Sequence, residues 1–147
     1  HDLEVRAATV MDLLRGYDLV LDGTDSSSTR YVVNDACVLL RKPLVSAAIH
    51  RFEGQLMTYL PGLGPCYRCL YPEVPEGLVP NCADAGVLGV LPGVVGAMQA
   101  TEAIKLIVGA GSPASGRLLV YDALDLTVRE FRFERRHDDG SVSPSRW

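Results

Sequence analysis

The sequence has few features of a nucleic-acid-binding or secreted protein. Its 147 residues hold 14 lysines and arginines against 18 aspartates and glutamates, which gives a formal net charge of −4 at pH 7. This balance argues against nucleic-acid binding, because such proteins usually present a basic patch. The first residues are charged and include neither an initiator methionine nor the apolar core of a signal peptide. We therefore expect a cytoplasmic protein, and a start that falls in the middle of a longer chain.

No stretch of the chain is apolar and uncharged over the full length of a membrane span. The most apolar segment, residues 87–108, contains Gln99, Glu102 and Lys105 in one half and Pro92 in the other. A charge near the middle of a bilayer costs about 3 kcal/mol. The segment is therefore predicted to be a buried helix of a globular domain rather than a membrane span, and 48% hydrophobic residues suffice for a substantial core.

Cysteines are also few. In a reducing compartment the four cysteines are expected to be thiols or metal ligands rather than disulfides. Cys66 and Cys69 form a CxxC that is typical of a zinc knuckle or a redox pair. A redox pair normally opens a helix, and the flanking prolines leave room for little helix, so zinc is favoured. Zinc needs four ligands; no second CxxC is present, Cys82 and His137 could complete the site, and unliganded loop cysteines remain the alternative.

The order of apolar runs and chain-breaking residues predicts a unit of a parallel α/β sheet followed by antiparallel strands. Short, wholly apolar runs are typical of central parallel strands, and Pro43 blocks the helix that precedes the second run. The predicted elements are a helix ending near Gly16, a strand at 19–21, a helix at 29–42, strands at 44–49 and 54–60, an irregular segment at 66–86, a helix at 92–108, and antiparallel strands at 117–122 and 127–134.

Acidic and hydroxyl residues follow the first predicted strand. Asp22 and Asp25 lie at its carboxyl end, where open α/β sheets place their ligands. A carboxylate there can coordinate Mg²⁺ on nucleotide phosphates, and the hydroxyls and amides that follow can meet phosphate oxygens. The alternative is that Asp25 and the adjacent serines cap the next helix. The two roles can coexist.

Four further polar or thiol side chains have simpler interpretations. Cys82 precedes the long helix, where a lowered pKa would make it a nucleophile, although a structural or zinc-bound thiol fits its position equally well. Cys37 falls on the apolar face of its helix and is predicted to lie in the core. Glu102 and Lys105 stand three residues apart on the long helix, and we expect a local ion pair.

Eight stretches taken together resemble the family of MoeB, ThiF and the eukaryotic molybdopterin-synthase sulfurylases, which is similar to the adenylation domain of ubiquitin-activating enzymes. They occur in the family's order between about residue 3 and residue 134. The stretches are Asp18–Asp25, Arg30 with Asn34–Asp35, Lys42–Ser46, Phe52–Gln55, Cys66–Cys69, Asn81–Asp84 with Gly86–Gly89, Gln99–Lys105 and Tyr121–Ala123.

The resemblance implies a Rossmann-like, ATP-binding adenylation fold with parallel strands followed by antiparallel ones. It implies ATP-dependent adenylation of the C-terminal glycine of a ubiquitin-like sulfur carrier (MoaD/ThiS-like), for molybdopterin, thiamin or tRNA thiolation. The implied cofactors are Mg²⁺ and a structural Zn²⁺. A homodimer is expected, as in the family, with no nucleic-acid or membrane partner.

The resemblance also assigns roles to individual residues. Asp25 matches the aspartate that handles Mg²⁺-ATP. Ser26 matches a neighbouring nucleotide-contacting position, where the family usually has Asn, and Arg30 lies in the same nucleotide-binding stretch. Cys82 matches the cysteine that is proposed to link covalently to the carrier's C-terminus.

The zinc and phosphate-binding parts of the family pattern are incomplete. Cys66 and Cys69 match the first pair of a structural zinc site, whereas the second CxxC, expected just past Arg136, is absent from the sequence. The family's glycine-rich nucleotide-binding half would precede His1. We therefore expect residues 1–134 to be the C-terminal part of an adenylation domain, inactive when isolated, and residues 135–147 to be a polar tail. The competing hypothesis is a zinc-stapled scaffold that binds a ubiquitin-like partner without catalysis.

Overall fold

One mixed sheet with helices around it makes up the described part of the chain, which is residues 2–73 and 86–135 of a computed structural model. The elements are α1 (Ala7–Arg15), β1 (Val20–Asp22), α2 (Ser27–Leu39), β2 (Leu44–His50), β3 (Glu53–Tyr59), α3 (Tyr67–Leu70), α4 (Leu91–Val108), β4 (Arg117–Asp122) and β5 (Thr127–Arg132).

The five strands lie side by side in chain order, β1-β2-β3-β4-β5. β1 and β2 are parallel and are joined by α2, whereas every later neighbour is antiparallel. Residues of β1, β2 and β3, including Val20, Leu44 and Tyr59, pack in one core cluster with Cys37 of α2. The predicted fold class, parallel strands followed by antiparallel ones, is confirmed, and so is the core position of Cys37.

Two helices differ from the sequence prediction. Predicted at 29–42, α2 begins at Ser27 and ends at Leu39, because the chain reverses at Arg41, whose φ is +53°. The segment predicted to be irregular opens with α3, a single helical turn. Pro72 follows it closely, and proline restricts the residue before it to extended backbone.

Helix α4 lies across the sheet and contacts it through one face. Leu91 and Val95 pack with Val45 of β2 and Leu56 of β3 in the second core cluster. Gly54 of β3 makes this contact possible, because a Cβ at that position would lie 2.3 Å from Val95 Cγ2. The glycine therefore sets how closely helix and sheet approach.

The opposite face of α4 is exposed and apolar, so the prediction of a buried helix holds for one face only. Ile104 is 58% exposed and Ile107 is 74% exposed. The 18 residues of α4 would suffice by length and composition to cross a membrane, the one such case in the described residues. The Gln99 amide, however, donates to the backbone carbonyls of β1 and β2. Such contacts are those of a helix seated on a sheet.

Candidate functional site

An open cleft of about 630 Å³ lies at the carboxyl ends of β1 and β2. The start of α2 forms one wall, the first turns of α4 form another, and β3 contributes Gln55 and Glu53. The volume falls within the range of small-molecule and nucleotide sites. Its position is the one at which open α/β sheets bind ligands.

Of the two predicted carboxylates, only Asp25 faces the cleft. It is exposed and lines the cavity. Asp22 is 2% exposed, and its carboxylate accepts a hydrogen bond from the Thr24 amide at 2.9 Å and lies 3.7 Å from Arg30 Nε. Asp22 therefore stabilises the turn after β1, and Asp25 is the carboxylate available to a ligand.

Ser26 is the residue that caps α2. Its hydroxyl accepts a hydrogen bond from the Thr29 amide at 3.4 Å and lies 2.9 Å from the Ser28 hydroxyl. Ser26 also lines the cleft. The first backbone amides of a helix lack intrahelical acceptors and favour anions. The capping role predicted as an alternative for Asp25 thus belongs to its neighbour, which leaves the Asp25 carboxylate uncommitted.

Two buried polar atoms beside the cleft have no hydrogen-bond partner within the described ranges. They are Thr24 Oγ1 and Arg30 Nε. Arg30 also lines the cleft, and its Nη2 donates to the Thr24 carbonyl at 2.6 Å. A buried polar group left unsatisfied costs about 1–3 kcal/mol, so a ligand or water that met these atoms would be favoured. The donors, the helix amides and the exposed carboxylate together fit a nucleotide with Mg²⁺.

Two glutamines complete the cleft, and their roles were not predicted from the sequence. Gln99 Nε2 donates to the carbonyls of Asp22 at 2.8 Å and Val45 at 2.9 Å, which fixes α4 over the ends of β1 and β2. Gln55 Oε1 accepts a hydrogen bond from the Tyr71 hydroxyl at 3.2 Å. The sequence feature that could have indicated these two roles is a polar side chain within an otherwise apolar strand or helix face.

Cys66 and Cys69 lie together, with their Sγ atoms 3.8 Å apart. Two thiolates on one tetrahedral zinc ion are about 3.8 Å apart, because each Zn–S bond is about 2.3 Å. Burial, and after it the neighbouring Cys69, raises the pKa of Cys66 to about 11. No group of three or more metal-binding side chains occurs in residues 2–73 and 86–135. The distance between the two sulfurs is compatible with the predicted half of a zinc site, which stays a prediction. Cys82 and His137 lie outside the described residues.

The turn that carries the cysteines is fixed to α2 by a buried ion pair. Arg68 Nε and Nη2 donate to the two Asp35 oxygens at 2.8 and 2.7 Å. The Arg68 side chain is 6% exposed and that of Asp35 is fully buried. Asn34 Oδ1 accepts from the Tyr67 amide at 2.8 Å. Breaking a buried pair by removing one partner costs about 3–5 kcal/mol. The ion pair therefore holds α3 firmly against α2.

The sequence model of the ThiF family matches residues 1–142. The chain belongs to the ThiF family. This confirms the resemblance predicted from the eight stretches. The α/β fold and the position of the cleft agree with that membership.

Curated relatives of this ThiF-family chain carry adenylyltransferase names. It is 50% identical over 143 residues to "Adenylyltransferase and sulfurtransferase MOCS3-1" of Drosophila pseudoobscura pseudoobscura, covering 97% of this chain and 32% of the fly protein. It is 49% identical over 141 residues to the "Sulfur carrier protein adenylyltransferase" of Thermus thermophilus, covering 92% of this chain and 52% of that protein. The chain thus spans about a third to a half of these relatives' lengths.

A solved structure supports the fold assignment. The crystal structure of E. coli MccB with ATP superposes with a TM-score of 0.77 at 16% sequence identity, covering 97% of this chain and 44% of MccB. At that identity the likeness establishes the α/β adenylation fold and nothing finer.

Proposed function

We propose that the protein to which this chain belongs uses ATP to adenylate the C-terminal glycine of a ubiquitin-like sulfur carrier of the MoaD/ThiS type. The observation that carries the proposal is the exposed Asp25 at the carboxyl end of β1, beside the unsatisfied donors of Thr24 and Arg30. The names of relatives about 50% identical support the reaction class.

In this reaction a carboxylate oxygen of the carrier's terminal glycine attacks the α-phosphorus of ATP. The bond between that phosphorus and the pyrophosphate oxygen breaks, which leaves an acyl-adenylate. Asp25 would hold Mg²⁺, which supplies positive charge to the phosphates. Arg30 and the first amides of α2 would add donors toward the phosphate oxygens. Gln99 keeps α4, and with it the opposite wall, in place.

Further parts of the proposal concern the cysteines and the assembly. Cys82 would attack the activated carbonyl, releasing AMP and forming a covalent link to the carrier. Cys66 and Cys69 would supply half of a structural zinc site. We also expect a cytoplasmic homodimer. These remain predictions.

ATP–pyrophosphate exchange in the presence of the carrier tests the role of Asp25. The variant Asp25→Asn keeps the side-chain shape and loses the charge, so exchange should fall about 100-fold or more, as when one preorganised electrostatic group is removed. Asp18→Asn is the matched control, because this exposed aspartate lies two residues before β1 and does not line the cleft; its exchange should stay near wild type.

The same assay separates the enzyme from the zinc-stapled scaffold. Full exchange by Asp25→Asn would remove that residue from the mechanism. If the full-length wild-type protein binds the carrier but shows no exchange, the scaffold is the correct function.

A further inference from the structure

Two tyrosines at the cysteine-bearing turn reach residues of the cleft. The Tyr71 hydroxyl donates to Gln55 Oε1 at 3.2 Å. The Arg30 guanidinium carbon lies 6.0 Å from the centroid of the Tyr67 ring, within cation–π range. Gln55 and Arg30 both line the cleft, whereas neither tyrosine does. The turn therefore contacts residues of the cleft wall without lining the cleft itself.

These tyrosines are held in place from three directions. The Tyr67 and Tyr71 rings contact each other with centroids 5.0 Å apart, and Tyr31 meets Tyr67 edge-on at 5.1 Å. The Tyr31 hydroxyl donates to the Glu73 carbonyl at 2.7 Å and also lies 3.1 Å from the Tyr71 carbonyl. Between the tyrosines, Arg68 is bound to α2 through its buried ion pair. A support of this kind restricts the rotamers of the side chains it carries.

We propose that Tyr71 is a positioning residue that orients the Gln55 amide for a substrate oxygen. Because Gln55 Oε1 is engaged by the Tyr71 hydroxyl, the amide NH₂ is the group left to donate to a ligand in the cleft. The acceptor is an oxygen of a carboxylate, a peptide carbonyl or a phosphate. This inference rests on the proposed adenylation and adds a specificity-determining pair to it, with Tyr67 supporting Arg30 in the same way.

Exchange kinetics of Tyr71→Phe in the full-length protein test the proposal. The variant keeps the ring and loses the donor. The KM for ATP or for the carrier should rise about five-fold, the effect of one neutral hydrogen bond, with kcat changed by less than about two-fold. In a Gln55→Leu background the same substitution should have no further effect, because the two residues act as one unit. Tyr121→Phe is the control, since Tyr121 lies on β4 outside the cleft lining.

A second measurement does not depend on activity. The side-chain amide resonance of Gln55, assigned by its loss in Gln55→Leu, should shift in Tyr71→Phe and stay in place in Tyr121→Phe. In a protein that shows exchange, an unchanged KM or additive effects of the two substitutions overturn the proposal. If the wild type shows no exchange, the adenylation proposal fails by itself, and a Gln55 resonance that Tyr71→Phe leaves in place overturns the positioning role.

Discussion

Glu102, at 5% exposure, receives donors from three parts of the molecule. Its carboxylate accepts from the Thr58 hydroxyl at 2.8 Å, from the Ala114 amide at 2.7 Å, and from Lys105 on its own helix. Burial alone would raise the pKa of this carboxyl, but the hydrogen bonds from Lys105, Ala114 and Thr58 outweigh burial and lower it. Glu102 thus joins α4 to β3 and to the turn before β4.

We expect Glu102→Gln to lower the free energy of unfolding by about 1–3 kcal/mol at pH 7. Because the folded pKa lies below the unfolded value of about 4.3, ionised Glu102 stabilises the fold above that value and loses its contribution as the pH falls through the folded pKa. The difference between wild type and variant should therefore shrink below about pH 4. Urea unfolding at several pH values measures it.

Glu130→Gln provides the control for that series. Glu130 pairs with Arg117 and Arg132, but its side chain is 32% exposed. Exposed pairs contribute at most about 1 kcal/mol, so this variant should unfold near wild type at every pH. A Glu102→Gln effect that is the same at pH 3 and pH 7 would contradict the role given to its charge.

Some contacts of these residues can be predicted from the sequence and others cannot. The local pair of Glu102 and Lys105 was predicted and is confirmed, because residues three apart on a helix are neighbours. The donors from Thr58 and Ala114 come from positions 44 and 12 residues away, and no local pattern indicates them. The place of Asp25 after a strand made it a candidate Mg²⁺ ligand, with helix capping as the alternative, and the family resemblance assigned it the Mg²⁺-ATP role. The contact between Tyr71 and Gln55 depends on a turn whose path the sequence does not specify.

At the scale of elements, the contact between β3 and α4 depends on the missing side chain of Gly54. Gly54→Ala would place a Cβ 2.3 Å from Val95 Cγ2. Helix or strand must then shift, and overpacking of this kind costs about 1–3 kcal/mol. Chemical denaturation should show that loss.

Gly93→Ala, within α4, is the matched substitution. A Cβ there meets no atom within 4 Å, and alanine is favoured over glycine in a helix by about 1 kcal/mol. This variant should be as stable as wild type or more so. Equal losses in both variants would show that the close contact at Gly54 has no special effect.

Element boundaries were predicted well where breakers flank apolar runs. β4 has its predicted bounds, and α4 begins one residue before the predicted position. β5 ends at Arg132 rather than at residue 134. The C-terminal end of α2 was missed because a non-glycine residue, Arg41, adopts the left-handed conformation there, which is uncommon for its residue type.

On the scale of the whole molecule, zinc at Cys66 and Cys69 would stabilise more than its own turn, because Arg68 and Asp35 join that turn to α2. Metal analysis of the full-length protein should give about one zinc per chain, and a strong chelator should lower the Tm by about 5 °C or more. A Cys66→Ser, Cys69→Ser variant should hold no zinc at this site and show no Tm response to chelator. Clearly substoichiometric zinc in wild-type protein would exclude the site.

The order of the strands in the sheet also affects how the chain folds. β2–β3 and β4–β5 are two antiparallel hairpins, and residues 60–116 lie between them. Each hairpin closes a short loop and can form within microseconds. The pairing of β3 with β4 must close the long intervening segment, and contacts distant in sequence form slowly. During synthesis the first hairpin leaves the ribosome well before the second. The edge of β3 that pairs with β4 therefore has no strand partner until α4 and β4 have been synthesised.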